Sequence, residues 1–186
     1  MQHSPLVEKY LSSLKMIGAN EKTPVLDLAC GLGRNGLFLI ENEINVSFAD
    51  VNGDSLNDVK QSLKHVDEVK KQRAQYWQVD FESANSTPLR DKLFSAIMVF
   101  RYLHRPLFDA LKASIKPGGM IIYETFTEQQ ALFGRPKNPN FLLKPNELKA
   151  LFSDWQILHS YEGVISHPND SEMKQAIAQI VAIKPQ

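Results

Sequence analysis

The chain has 186 residues, 21 basic and 21 acidic side chains, a formal net charge of zero and 43% hydrophobic residues. That length suits one domain over residues 1–186 with a substantial core, and the cancelled charge argues against a global field for nucleic acid or an anionic membrane. The single cysteine, Cys30, excludes an internal disulfide and fits a reducing compartment; with no apolar run of spanning length and no charged-then-apolar N-terminus, a cytoplasmic protein is expected.

Residues 1–20 carry a lead-in helix, because Leu6, Tyr10, Leu14 and Ile17 recur at helical spacing. Strand and helix patterns then alternate. A strand over 24–28 precedes a helix over 34–42, and a strand over 45–49 precedes a helix near 53–65. A strand over 74–79 is followed by a loop with Pro88, a strand over 94–100, a helix over 106–115 and a strand over 119–124. Alternation of this kind predicts a parallel sheet with helices on both faces. Prolines 136, 139 and 145 and Gly134 forbid a long helix next, so residues 126–145 read as an ordered, proline-rich lid or insertion. Trp155–Gly163 and Ala176–Ile183 read as two strands joined without a helix, an antiparallel pair.

The chemistry concentrates in Val25-Leu26-Asp27-Leu28-Ala29-Cys30-Gly31-Leu32-Gly33-Arg34-Asn35-Gly36 and in Asp50. An apolar strand ends near a carboxylate, turns on glycines and opens a helix, an arrangement that holds a nucleoside-bearing cofactor at the carboxyl edge of a parallel sheet. Asp50 follows the next strand, about twenty residues on, where a carboxylate accepts the hydroxyls of a ribose. The six residues from Gly31 to Gly36 also satisfy the pattern of nicotinamide enzymes, and a lone match decides little. Two features favour S-adenosylmethionine. Asp27 places a negative charge under the turn, which repels a diphosphate and attracts an ammonium. Lys116-Pro117-Gly118-Gly119 forms a tight turn that feeds the buried strand Met120-Ile121-Ile122-Tyr123.

Together these motifs resemble the class I S-adenosylmethionine-dependent methyltransferases over nearly the whole chain. The resemblance implies an α/β, Rossmann-like, doubly wound sheet of seven strands, mostly parallel, with an antiparallel C-terminal strand inserted. Within that class, Cys30-Gly31-x-Gly33-Arg34-Asn35, with Leu37, Leu39, Val46, Asp50, Val51 and Asn52, is similar to the tellurite-resistance-type methyltransferases. That similarity covers the first third of the chain; the segments 99–106 and 133–139 depart from it. The resemblance places the cofactor against Asp27, Ala29, Gly31, Gly33 and Arg34 at the first turn and against Asp50 and Val51 after the second strand. Asp80 and Phe81 follow the third strand, with Asp80 accepting the adenine amine and Phe81 covering the ring, and Phe100 closes the fourth. Capping a local turn is the alternative for Asp80, with the cofactor role favoured.

The acceptor half is less defined. The Asn/Asp-Pro-Pro-Tyr signature for exocyclic amines is missing, and Cys30 reads as a packed side chain. From Val99 to Lys144 there are seven basic residues against three acidic. Arg101, His104 and Arg105 after the fourth strand, with Arg135 and Lys137 on the lid, define an expected pocket for a small, anionic substrate. Arg101 pairing with Glu124 is the structural alternative. His104 and Glu124 are the candidates for proton removal, and no histidine spacing suggests a metal site. Two other readings remain: an RNA or protein methyltransferase that uses the basic 101–144 segment, and a non-catalytic S-adenosylmethionine-binding module. Oligomeric state is open.

Overall fold

The computed structural model describes residues 2–83, 86–167 and 170–186. Seven strands, β1 (Val25–Leu28), β2 (Val46–Asp50), β3 (Ala74–Gln78), β4 (Phe94–Phe100), β5 (Ile115–Phe126), β6 (Gln156–His167) and β7 (Asp170–Ile183), pair in the order β3-β2-β1-β4-β5-β7-β6. The pairings of β1 to β5 are parallel, whereas β7 runs antiparallel to both its neighbours. This is the doubly wound, mostly parallel sheet expected from the alternation of elements.

Period-two alternation along the strands divides the core between two faces. Val25, Phe48, Ala96, Met98, Met120 and Ile122 pack with Leu6, Leu14, Leu39 and Val59. Those four residues lie on α1 (Pro5–Lys9), α2 (Leu11–Ile17), α3 (Arg34–Glu41) and α4 (Gly53–Ser62). A short, fully surface helix, α5 (Glu68–Gln72), follows. Leu26, Leu28, Ile97, Val99, Ile121 and Tyr123 face the other way, onto α6 (Phe108–Ser114) and α7 (Glu147–Leu151). Each such apolar side chain taken out of water contributes roughly 1.5–3 kcal/mol. The same parity turns Asp27 toward α3 and Glu124 toward the α1–α4 face.

Several boundaries differ from the sequence reading. The lead-in helix is two helices separated at Tyr10, whose hydroxyl donates to the Leu158 carbonyl at 3.3 Å. The segment starting at Arg105 begins as a 3-10 turn, with Pro106 in its first turn, and becomes α6 only at Phe108. Lys116–Gly119 is not a turn ahead of the strand. It lies within β5 as a register shift against β4, between the pairs of Phe94 and Ala96. Neither α5 nor α7 was legible: α5 buries no residue, so it carries no apolar period.

The 126–145 segment folds back on the body through two 3-10 turns, Glu128–Leu132 and Pro139–Phe141. Leu143 N–H donates to the Phe126 carbonyl at 2.9 Å, and Leu142 and Leu143 are buried. Arg105 staples it down. Its guanidinium meets both Glu147 oxygens at 2.7 and 2.8 Å and donates to the Asn140 and Leu142 carbonyls. Among the described residues no helix is long and apolar enough to cross a membrane.

Candidate active site

The carboxyl ends of β1, β2, β3 and β4 meet at one edge of the sheet. Between β1 and α3 the chain takes three left-handed residues, Ala29 (φ 52°), Gly31 (φ 52°) and Gly33 (φ 68°). Their reasons differ. A Cβ on Gly33 would lie 2.7 Å from Val59 Cγ2, and one on Gly36 would lie 2.3 Å from Phe48 Cε1. Those glycines let α3 press onto β2 and α4. A Cβ on Gly31 would meet nothing within 4 Å. Gly31 therefore faces open space, the cradle of the site, in a conformation that side chains resist.

Asp50 holds that cradle in shape. Its Oδ2 accepts the Gly31 N–H at 2.8 Å and its Oδ1 accepts the Asn52 N–H at 2.9 Å. Asn52 in turn caps α4 by accepting the Asp54 and Ser55 amides. Beside Asp50, Val51 is 62% exposed, an apolar side chain left in water at the strand end.

Asp27 sits below the turn and is buried. Its Oδ2 accepts the Gly36 N–H at 2.9 Å, inside the first turn of α3. Burial pushes its carboxyl up to about 7, against the Gly36 hydrogen bond and the Arg34 charge. This folded-state rise makes the neutral acid the favoured form. The resulting stability is fully present below the unfolded value near 4 and is lost as pH climbs through about 7. Asp27→Asn keeps the Gly36 acceptor and cannot ionise. The variant is expected to gain on the wild type by up to about 1.4 kcal/mol per pH unit across that window, as read by thermal melts at pH 4 and pH 8. A constant difference between the two pH values would contradict the assignment. Burial likewise pushes the Cys30 thiol far up, which leaves it a neutral packed side chain.

Arg34 and Asn35 both bond the N-terminal segment. Arg34 Nη1 donates to the Gln2 carbonyl at 3.2 Å, and Asn35 Oδ1 accepts the Ser4 N–H at 2.8 Å. The pair clasps the N-terminal segment onto the turn. At the end of β3, Asp80 Oδ1 accepts the Glu82 N–H at 2.8 Å, the local turn that such a residue favours. Phe81 is buried edge-on against Trp77 at 5.5 Å. Phe100 ends β4 on the α1–α4 face, half-buried.

The next residue, Arg101, has φ 58°. Its Nη2 meets Glu124 Oε1 at 3.1 Å and Gln175 Oε1 at 2.9 Å, and its guanidinium carbon lies 4.4 Å from the Phe126 ring centre. Nη1 is buried with no hydrogen-bond partner among the described residues. Glu124 is buried, and its Oε2 accepts from Gln179, which also bonds His159 at 2.9 Å. The Arg101–Glu124 contact is thus the ion pair across neighbouring strand ends, and both Glu124 oxygens are occupied.

The five-residue basic pocket expected from the sequence is not assembled as a unit. Arg105 is consumed by Glu147, and Lys137 is exposed on the lid. Arg101 and Arg135 do share one cleft of about 530 Å³, which Glu82, Leu103, Phe126 and Phe141 also line. His104 lines two adjoining hollows of about 360 Å³ each, with Glu82 in both. Tyr123 is committed to the Tyr102 carbonyl at 2.9 Å. A wider hollow of about 680 Å³ lies at the opposite, amino-terminal edge, around Ala19, Asn45 and Arg73, away from every one of these groups.

Glu82 was missed by sequence reasoning. It borders all three hollows and, after burial, is the main influence that pushes the Tyr102 phenol up. Gln175 and Gln179, which hold Arg101 and Glu124, were missed too. Their only signal was two glutamines four apart, hence on one face of a strand.

The family model described as tellurite resistance protein TehB matches residues 5–178. No curated protein matches the sequence. Among solved structures, TehB from Haemophilus influenzae is similar with a TM-score of 0.72 at 22% identity. That match covers 95% of this chain and 62% of that one, so the chain spans less than two thirds of that relative. The glycopeptide N-methyltransferase MtfA complexed with S-adenosyl-L-methionine is similar with a TM-score of 0.63 at 14% identity, over 98% of this chain and 95% of that one. A SAM-dependent methyltransferase from Methanosarcina mazei gives 0.67 at 15% identity, over 100% and 99%. At these identities the likeness establishes the fold.

Proposed function

This chain belongs to the tellurite resistance protein TehB family, and from that premise we propose that it transfers a methyl group from S-adenosylmethionine to a small acceptor carrying negative charge. The observation that carries the reading is Gly31. Its Cβ direction is empty, its amide is anchored by Asp50, and an apolar Val51 stands exposed alongside. A ribose against Asp50 and an adenine face against Val51 fit such an edge. The crystal of MtfA with S-adenosyl-L-methionine supports the same donor on this fold.

When bound, the donor supplies a methyl group already made electrophilic by a positive sulfur. The protein's own task is then positioning and exclusion of water. Asp50 and the Gly31 turn hold the nucleoside, and Ala29 and Gly33 give the turn its left-handed path. Asp27 answers a cationic ammonium through the floor of the turn, and Asp80, Phe81 and Phe100 border the base and the methionine end. Arg34 is a positioning residue, which fixes the N-terminal segment beside the turn.

Arg101 lines the cleft offered to the acceptor, its buried Nη1 without a partner among the described residues, while Glu124 and Gln175 keep the guanidinium in place. Glu124, spent on Arg101 and Gln179, is a structural partner and not a base. For an acceptor that must lose a proton, His104 and Glu82 are the groups that remain. His104 has no hydrogen bond to its ring among the described residues.

Incubation of the purified protein with methyl-labelled S-adenosylmethionine and a small-molecule extract is expected to place label in the low-molecular-weight anionic fraction. Label confined to RNA or to protein would overturn the acceptor class, and cofactor binding without any labelled product would leave only a binding module.

A further inference from the structure

The cleft beside Arg101 is large and chiefly apolar, which is unexpected for a receptor of bare inorganic anions. Its volume is about 530 Å³, within the range of roughly 300–1,000 Å³ that holds organic ligands. Leu103, Phe126 and Phe141 supply walls, with Phe141 46% exposed on the folded-back segment. An oxyanion of four or five atoms would fill a small fraction of this space and leave the walls in water.

The charges of the cleft are equally specific. Two guanidinium groups, Arg101 and Arg135, line it against one carboxylate, Glu82. Arg101 is further offset by Glu124 behind it at 3.1 Å. What Arg101 offers is therefore one pre-positioned donor, Nη1, buried and unpaired, in a residue held at φ 58°. A buried donor without a partner is costly, so a ligand acceptor atom placed there gains. Arg135 is exposed, and no described residue pairs with its guanidinium. With Glu124 set against Arg101, Arg135 is, among the described residues, the one guanidinium of the cleft without a carboxylate partner, so the lining suits one negative charge at most and does not suit a dianion.

Resting on the methyl-transfer reading above, we propose that the acceptor is an amphipathic organic monoanion. Its apolar body lies along Leu103, Phe126 and Phe141, and its single anionic group sits between Arg101 Nη1 and Arg135. The burial of the body supplies the affinity and the two arginines supply the orientation.

Calorimetry of the full chain tests this, with and without saturating S-adenosylhomocysteine, using 4-phenylbutyrate, acetate, selenite and 4-phenylbutan-1-ol as probes. The expected result is that 4-phenylbutyrate binds at least tenfold more tightly than each of the other three. Phe141→Ala is expected to erase most of its advantage over acetate, and Arg135→Gln most of its advantage over the alcohol. Selenite binding as tightly as 4-phenylbutyrate, no binding of 4-phenylbutyrate, or preferences untouched in both variants would each overturn the proposal. Failure of S-adenosylhomocysteine to bind would instead remove the methyl-transfer reading, while the probe preferences in the free protein would still report on the cleft.

Discussion

Gly31→Val is expected to abolish S-adenosylhomocysteine binding while the protein stays folded. Two effects add at this position. The backbone sits at φ 52°, where a β-branched residue pays roughly 1–2 kcal/mol in steric strain. The larger effect is spatial: the Cβ direction is empty of protein atoms, so the valine methyl groups project into the ligand's place. Gly33 and Gly36 make the contrast, since a side chain at either strikes Phe48 and damages the fold itself. A melt close to wild type with no calorimetric signal is the predicted pair of results for Gly31→Val. Full binding in that variant would mean that the turn faces something other than the cofactor.

Asp50→Ala is expected to weaken S-adenosylhomocysteine by about 10- to 150-fold. The carboxylate proposed to accept a ribose hydroxyl is lost, a charge-assisted hydrogen bond of roughly 1.5–3 kcal/mol. The same side chain fastens the Gly31 and Asn52 amides, so the cradle also loses its anchor. Asp50→Asn retains one acceptor oxygen and is expected to fall between the two. Unchanged affinity in a folded Asp50→Ala variant would contradict the position assigned to the ribose.

The pairing of Asp50 with the Gly31 turn was legible because its determinants are local. Asp50 lies 19 residues from the amide it holds, and both ends of that contact are fixed by strand and turn patterns visible in the sequence. The charge argument for Asp27 needed the structure. Read as a full negative charge under the turn, it is buried, and burial pushes its carboxyl up to about 7, so its preference for an ammonium over a diphosphate is weaker than the sequence implied. Arg34 shows the same limit in another form. It belongs to the motif that carries the family resemblance, yet its partner is the Gln2 carbonyl, 32 residues back.

The acceptor half was not legible for a physical reason. Its geometry depends on pairings that no local pattern encodes: Arg101 with Gln175, 74 residues on, and Arg105 with Glu147, 42 residues on. Counting basic residues over 99–144 does not say which of them are paired. The fold shows which were already spent: Arg105 on Glu147, Lys112 on Asp154. Of the rest, Arg101 and Arg135 are the two that line the acceptor cleft. Glu82, the carboxylate common to three hollows, follows a strand end and carries no motif at all.

The most direct test is isothermal titration of the purified protein with S-adenosylhomocysteine and, separately, with NADH. Micromolar binding of S-adenosylhomocysteine and no binding of NADH is the predicted result, because the open face of Gly31 beside Asp50 suits a ribose. Binding of NADH without S-adenosylhomocysteine would contradict it and would reassign the glycine turn to a nicotinamide dinucleotide.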